Sequence, residues 1–221
     1  MGIADLDYRK SDRQSLLALF DWPKEATAKA RSLDDRETYW WILDGAAYKD
    51  FTARTVSGIT KDASKGFRKK LACKLYDYMN NTDSSCWQQS DYDKWHWETC
   101  KEFKSDFNSI TGITGIAFGK AQKIVNMSFK YLFCLQNAED KKYAEKFEYC
   151  HMPLDSYTLE WYKQVVVPWY KEKYKGTTAY TKFVAGRLQN WSNLDYGSRA
   201  DPHSYSGIQH YIREYLLVGG S

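Results

Sequence analysis

The sequence predicts an all-α protein, a compact array of about nine or ten helices. Apolar residues recur at helical spacing from one end of the chain to the other, N-cap signals stand ahead of several of these runs, and β-hairpin turn signals are almost absent. A chain of 221 residues that is 43% hydrophobic and 17% aromatic can bury a core of its own. The expected organisation is one helical domain over residues 1–221, with 1–85 and 86–221 as its lobes if a cleft divides it.

The elements follow in order. Ser11-Asp12-Arg13-Gln14 is a capping box ahead of "SLLALF", and Pro23 suits the first turn of a second short helix. A third helix runs from about Leu33 through "RETYWWILDGAAYKDF", with Tyr39, Ile42, Leu43 and Ala46 or Ala47 on one face. "TVSGIT" interrupts the pattern, and "KDASKGFRKKLACKLYDYM" then sets Phe67, Leu71, Leu75 and Tyr78 on a single stripe. The polar run from Asn80 to Ser90 reads as a loop, after which Ser90-Asp91-Tyr92-Asp93 opens the helix carrying "KWHWETCKEFKSDF". Glycines at 112, 115 and 119 precede "KAQKIVNMSFKYLFCL", in which Ile124, Tyr131 and Leu135 keep the helical period. "QNAEDKKYAEKFEYC" suits a short charged surface helix. Further helices are expected from Asp155 to about Tyr174, in "AYTKFVAGRLQ", and in "GIQHYIREYLL".

Charge narrows the partners little. The net charge is +4, from 32 basic and 28 acidic residues. Basic clusters at Lys65–Lys74, Lys101–Lys104, Gly119–Lys123 and Lys171–Gly176 fit either a nucleic-acid surface or solvated helix faces. Cys73, Cys86, Cys100, Cys134 and Cys150 are odd in number and contain no CxxC pair, which supports neither a disulfide framework nor a zinc site. No metal and no cofactor are expected. The first residues, "MGIADLDYRK", lack an apolar leader, and no run of about twenty apolar residues occurs. The expectation is a cytoplasmic protein with reduced thiols and no membrane partner. The oligomeric state is not written in the sequence.

The stretch "GITGIAFGKAQKIVNMSFKYL" carries the most specific signal. A nucleotide-binding loop would need GxxxxGK followed by Ser or Thr, but Thr114 stands at the first glycine and Ala121 at the hydroxyl. A helix-hairpin-helix turn fits better, because such a turn uses glycine for positive φ and lets backbone N–H groups reach a DNA phosphate at a helix start. Here a helix ending near Ile110, a glycine-rich turn and a helix opening at Lys120 follow in that order.

Together with "CHMPLDSYTLEW" from Cys150 to Trp161, these features resemble the helix-hairpin-helix DNA glycosylase superfamily over about residues 106–162. The turn lacks that family's proline, and a charged segment lengthens the interval between Lys120 and Asp155. The resemblance implies binding of double-stranded DNA and excision of a flipped, damaged or modified base. It assigns Asp155 to the essential carboxylate that stabilises the sugar cation, and Lys120 to the nucleophile of bifunctional members. It places Gly115, Gly119, Gln122 and Lys123 against DNA. Trp95, Trp97, His151 and Trp161 then become candidates for base stacking or the pocket.

Each residue also has a plainer role. Asp155 after Pro153 is a good N-cap, Lys120 and Lys123 suit a solvated helix face, and the tryptophans suit the core and its rim. The alternative function is a non-catalytic helical module that binds nucleic acid or protein.

Overall fold

The computed structural model describes residues 32–55, 61–80, 87–110, 115–135 and 141–219. Every regular element among the described residues is helical. The two helices expected before residue 31, the break at 56–60, the polar run at 81–86 and Gly112 lie outside the described residues.

Helix α1, Arg36–Ile42, passes through a wide turn at Leu43–Ala47 into α2, Tyr48–Thr55. It begins later than Leu33 because Asp35 caps it, accepting the Glu37 N–H at 2.9 Å, while Leu33 turns into the core. Then come α3, Lys61–Asn80, α4, Gln89–Asn108, α5, Phe118–Leu135, and α6, Lys141–Glu148. Helix α7, Ser156–Trp161, opens into a second wide turn at Tyr162–Val166 before α8, Val167–Lys173. There the Val167 N–H reaches back to the Tyr162 carbonyl, one residue further than in an α-helix. Pro168 follows at once, and a residue with no N–H cannot continue the ordinary ladder. Helix α9 is Thr178–Ala185 and α10 is Tyr205–Glu214, with a single 3-10 turn at Trp191–Asn193 between them.

The described residues form two compact units. The first comprises those up to Ile116 together with Ala121–Cys150, and the second comprises Ala117–Lys120 with His151 onward. The division falls inside α5 and at His151.

In the first unit, α3 and α4 meet through aromatic edges. Phe67 and Phe103 pack at 5.3 Å between centroids, and Phe51 stands edge-on to Phe103 at 5.9 Å. On the outside of the same pair, Lys70 and Lys74 bridge to Glu102, and Lys70 also reaches Asp106 at 3.0 Å. Part of the basic cluster Lys65–Lys74 is thus neutralised by the neighbouring helix. Another part is inside the unit: Arg68 is buried, ion-paired to Asp44 in the wide turn after α1, and its guanidinium lies 4.4 Å from the Tyr48 ring centroid.

The second unit is built round tyrosines. Tyr170 packs against Tyr211 at 4.4 Å and against Phe183 at 5.1 Å, joining α8, α9 and α10. Lys173 and Tyr174 both bond Glu214. Burial alone would raise that carboxyl, but the ammonium and the phenol outweigh it and hold it below its ordinary range. No helix among the described residues is long and apolar enough to cross a membrane.

Candidate functional site

The described glycines of this stretch, Gly115 and Gly119, do not play the part expected of them in a hairpin. Positive φ among the described glycines occurs at Gly176 and Gly197, not at Gly115 or Gly119. The turn is closed by Asn108 at the end of α4, whose side chain accepts the Ile116 N–H at 2.7 Å and donates to the Ile116 carbonyl at 3.2 Å. Gly115 lies against this amide. Close backbone approach does occur at Gly119, but the partner is the chain itself. The Gly119 N–H donates to the Leu194 carbonyl at 3.0 Å, and an added Cβ would overlap the Trp191 carbonyl oxygen. Gly119 is buried, and its N–H, expected to face a phosphate, is already bonded within the unit.

The segment "HMPLD" is held by α10. Gln209 brackets Met152, accepting its N–H at 3.1 Å and donating to its carbonyl at 2.6 Å, while His151 Nδ1 lies 2.8 Å from the Tyr205 hydroxyl. Tyr205 also stands edge-on to Phe118, at 5.1 Å. The two stretches that stood out in the sequence therefore meet at one tyrosine, and they meet as packing. Asp155 does what an N-cap does: its carboxylate accepts the N–H groups of Tyr157 and Thr158 at 3.0 and 3.1 Å, and its own N–H donates to the Thr158 hydroxyl at 2.7 Å.

The other expected residues divide between core and rim. Gln122 is fully buried and accepts from Asn126 at 2.8 Å, and Lys123 is 4% exposed. Both are turned inward by α5, toward the core. Trp95 is half-buried against Tyr78, at 4.7 Å, and Phe129, at 5.7 Å. Trp161 packs on Tyr215 at 6.1 Å, Trp97 is half-buried, and Lys120 is half-buried with its N–H bonded to the Ala117 carbonyl.

Cys100, His96 and Asn126 superficially form a nucleophile, a base and an orienting amide. The thiol lies 3.5 Å from His96 Nε2, and that same nitrogen bonds Asn126 at 2.8 Å. All three are buried, and desolvation pushes the Cys100 thiol well above its ordinary value, so it stays protonated and inert. Among the described residues no cluster of ligands could hold a metal ion.

A concave site does exist in the second unit. A cleft of about 470 Å³ runs between the wide turn after α7, the start of α8, α9, and the segment that follows α9. Its apolar surface includes Val167, Phe183, Val184 and Leu188, and Lys163, Lys171 and Arg187 supply three positive charges to its lining. No carboxylate lines it. Lys163 has a loose contact with Glu160, at 3.7 Å, and Lys171 lies over the Phe183 ring at 5.6 Å. One wall is a stack: His203 lies against Phe183 with centroids 5.0 Å apart, and Gly186 leaves room for the imidazole, since an added Cβ would overlap it. His203 Nε2 lies 2.9 Å from the Phe183 carbonyl. A carbonyl only accepts, so that nitrogen carries the proton and the ring is fixed in place.

Sequence reasoning missed this cleft. Its residues come from separate elements, and the one local signal was "QVVVPW", where a proline inside an apolar helical run announces an irregular turn. The chain matches no protein-family model, no curated protein and no solved structure.

Proposed function

We propose that the protein is a non-catalytic helical interaction module that binds an anionic partner through the cleft of its second unit. One observation carries this reading: a cleft of ligand-binding size, about 470 Å³, has an apolar floor, three cationic side chains and no carboxylate in its lining. A one-signed lining raises the local concentration of an opposite charge and speeds its encounter.

The base-excising reading rests on the resemblance of residues 106–162 alone. It receives no support from the capping role of Asp155 or from the bonded N–H of Gly119. The two functions separate cleanly in one experiment. Asp155→Ser preserves a cap oxygen but removes the carboxylate. The expected result is that wild type and Asp155→Ser are equally stable, neither releases a base from a panel of modified duplexes, and neither is trapped on DNA by borohydride. Base release by wild type that Asp155→Ser abolishes would overturn the proposal. The cleft is tested by titrating a polyanion at rising salt. Affinity falls with ionic strength and is lost when Lys163, Lys171 and Arg187 are changed together to Glu.

A further inference from the structure

The geometry points to an acidic peptide segment as the occupant of this cleft, one that seats an aliphatic side chain between carboxylates. The inference rests on the proposed anion-binding role and names the partner's chemistry.

Three features of the lining choose among anions. First, the charges come from separate elements: Lys163 from the wide turn after α7, Lys171 from α8, and Arg187 from the segment after α9. Neither Lys171 nor Arg187 has a carboxylate partner among the described residues. Cations placed round an apolar floor match a ligand whose negative charges flank an apolar group.

Second, the exposed apolar surface is aliphatic. Val184 is 58% exposed, and Val167 and Leu188 are half-buried beside it. Such surface takes a Leu, Ile or Val side chain.

Third, the two large aromatic rings of the lining, Phe183 and Tyr162, offer no open face to a base. Phe183 is buried, with His203 stacked on it and the Lys171 ammonium over it, and Tyr162 is buried with its hydroxyl bonded to the Pro202 carbonyl at 3.1 Å. Single-stranded nucleic acid binds by laying bases on a row of aromatic faces along a basic track, and this lining has the charge but, beyond the half-buried His203 already stacked on Phe183, no such row. Recognition of acidic segments by clustered Arg and Lys round an apolar anchor needs only what is present.

The probe is a fluorescein-labelled, end-blocked peptide alternating Glu with Leu, titrated with the full chain and followed by anisotropy. A second probe is an oligothymidylate of matched charge. The peptide is expected to bind more tightly than the oligonucleotide and to weaken as salt rises. Changing its leucines to serine, or making Val184→Asp or Arg187→Glu in the protein, is expected to weaken it about tenfold, the equivalent of ~1.4 kcal/mol. Lys65→Glu, an exposed change in the other unit, is expected to leave binding unaltered. Val184 and Arg187 are exposed, and a matching thermal midpoint confirms that the variants fold. If the oligonucleotide binds tighter and responds to the same variants, or if the leucine-to-serine peptide binds as well as the original, the peptide assignment fails while the anion-binding cleft stands. If neither probe binds, or binding ignores the cleft variants, both fail.

Discussion

Gly119→Ala tests the central structural claim, that this glycine exists for the chain's own backbone. The new methyl group would overlap the Trp191 carbonyl oxygen and stand 3.1 Å from the Leu194 nitrogen, both backbone atoms that cannot swing aside as a side-chain tip can. Forcing a methyl into such a site costs about 1–3 kcal/mol. The displacement also endangers the bond from the Gly119 N–H to the Leu194 carbonyl, worth ~1 kcal/mol. Against this, alanine's greater helix preference returns at most ~1 kcal/mol. The net expectation is a loss of about 1–3 kcal/mol, and several degrees in the thermal midpoint for a chain of this size.

Gly66→Ala is the matched control. Gly66 lies in the middle of α3, exposed, with nothing within 4 Å of an added Cβ, so the same substitution should stabilise by ~0.5–1 kcal/mol. Urea unfolding followed by tryptophan fluorescence reads both variants. Opposite signs support the packing account. If Gly119→Ala is as stable as wild type, the close approach has been misread. If it loses DNA affinity at unchanged stability, the glycine serves a phosphate after all.

Two further outcomes are expected. The Glu102 carboxyl is held below its ordinary value of 4.5 because Lys70 and then Lys74 bond its charged form. Its contribution to stability is therefore present above about pH 4.5 and is lost as pH falls through the lowered value. Glu102→Gln should flatten the acid limb of a plot of urea midpoint against pH, and parallel curves for variant and wild type would contradict the clasp. In a Cys86→Ser background, Ellman's reagent at pH 8 should modify the exposed Cys73 first. Cys100 and Cys134 should react only on unfolding, since burial raises both thiols, Cys134 to about 11. Rapid loss of four thiols from native protein would contradict that core.

Much of the fold was legible because helices announce themselves locally. The stripe Phe67, Leu71, Leu75 and Tyr78 is buried in α3 as its spacing requires, and Asp155 caps α7 as an Asp after "MPL" should. Boundaries shifted where a competing contact won: Leu33 left its helix for the core, and the Asn108 side chain took both backbone groups of Ile116 ahead of α5. The candidate site was far less legible. Gln122 and Lys123 sit in a basic-looking run, yet the apolar residues around them turn that side of α5 inward. The cleft was invisible because Lys163, Lys171 and Arg187 become neighbours only when their elements pack together.

The sequence by itself determined the helical character of the described residues and their main helical stripes. Those properties depend on spacing over a few residues, which a helix repeats every turn. What approaches Gly119 was decided by the tertiary structure alone: the chain far downstream, at Trp191 to Leu194, fills the place where a phosphate was expected. The glycine at 119 allows a close approach, and by itself carries no information about what approaches. Only the packing of elements distant in sequence names the neighbour, and the same packing shapes the cleft lined by Lys163, Lys171 and Arg187.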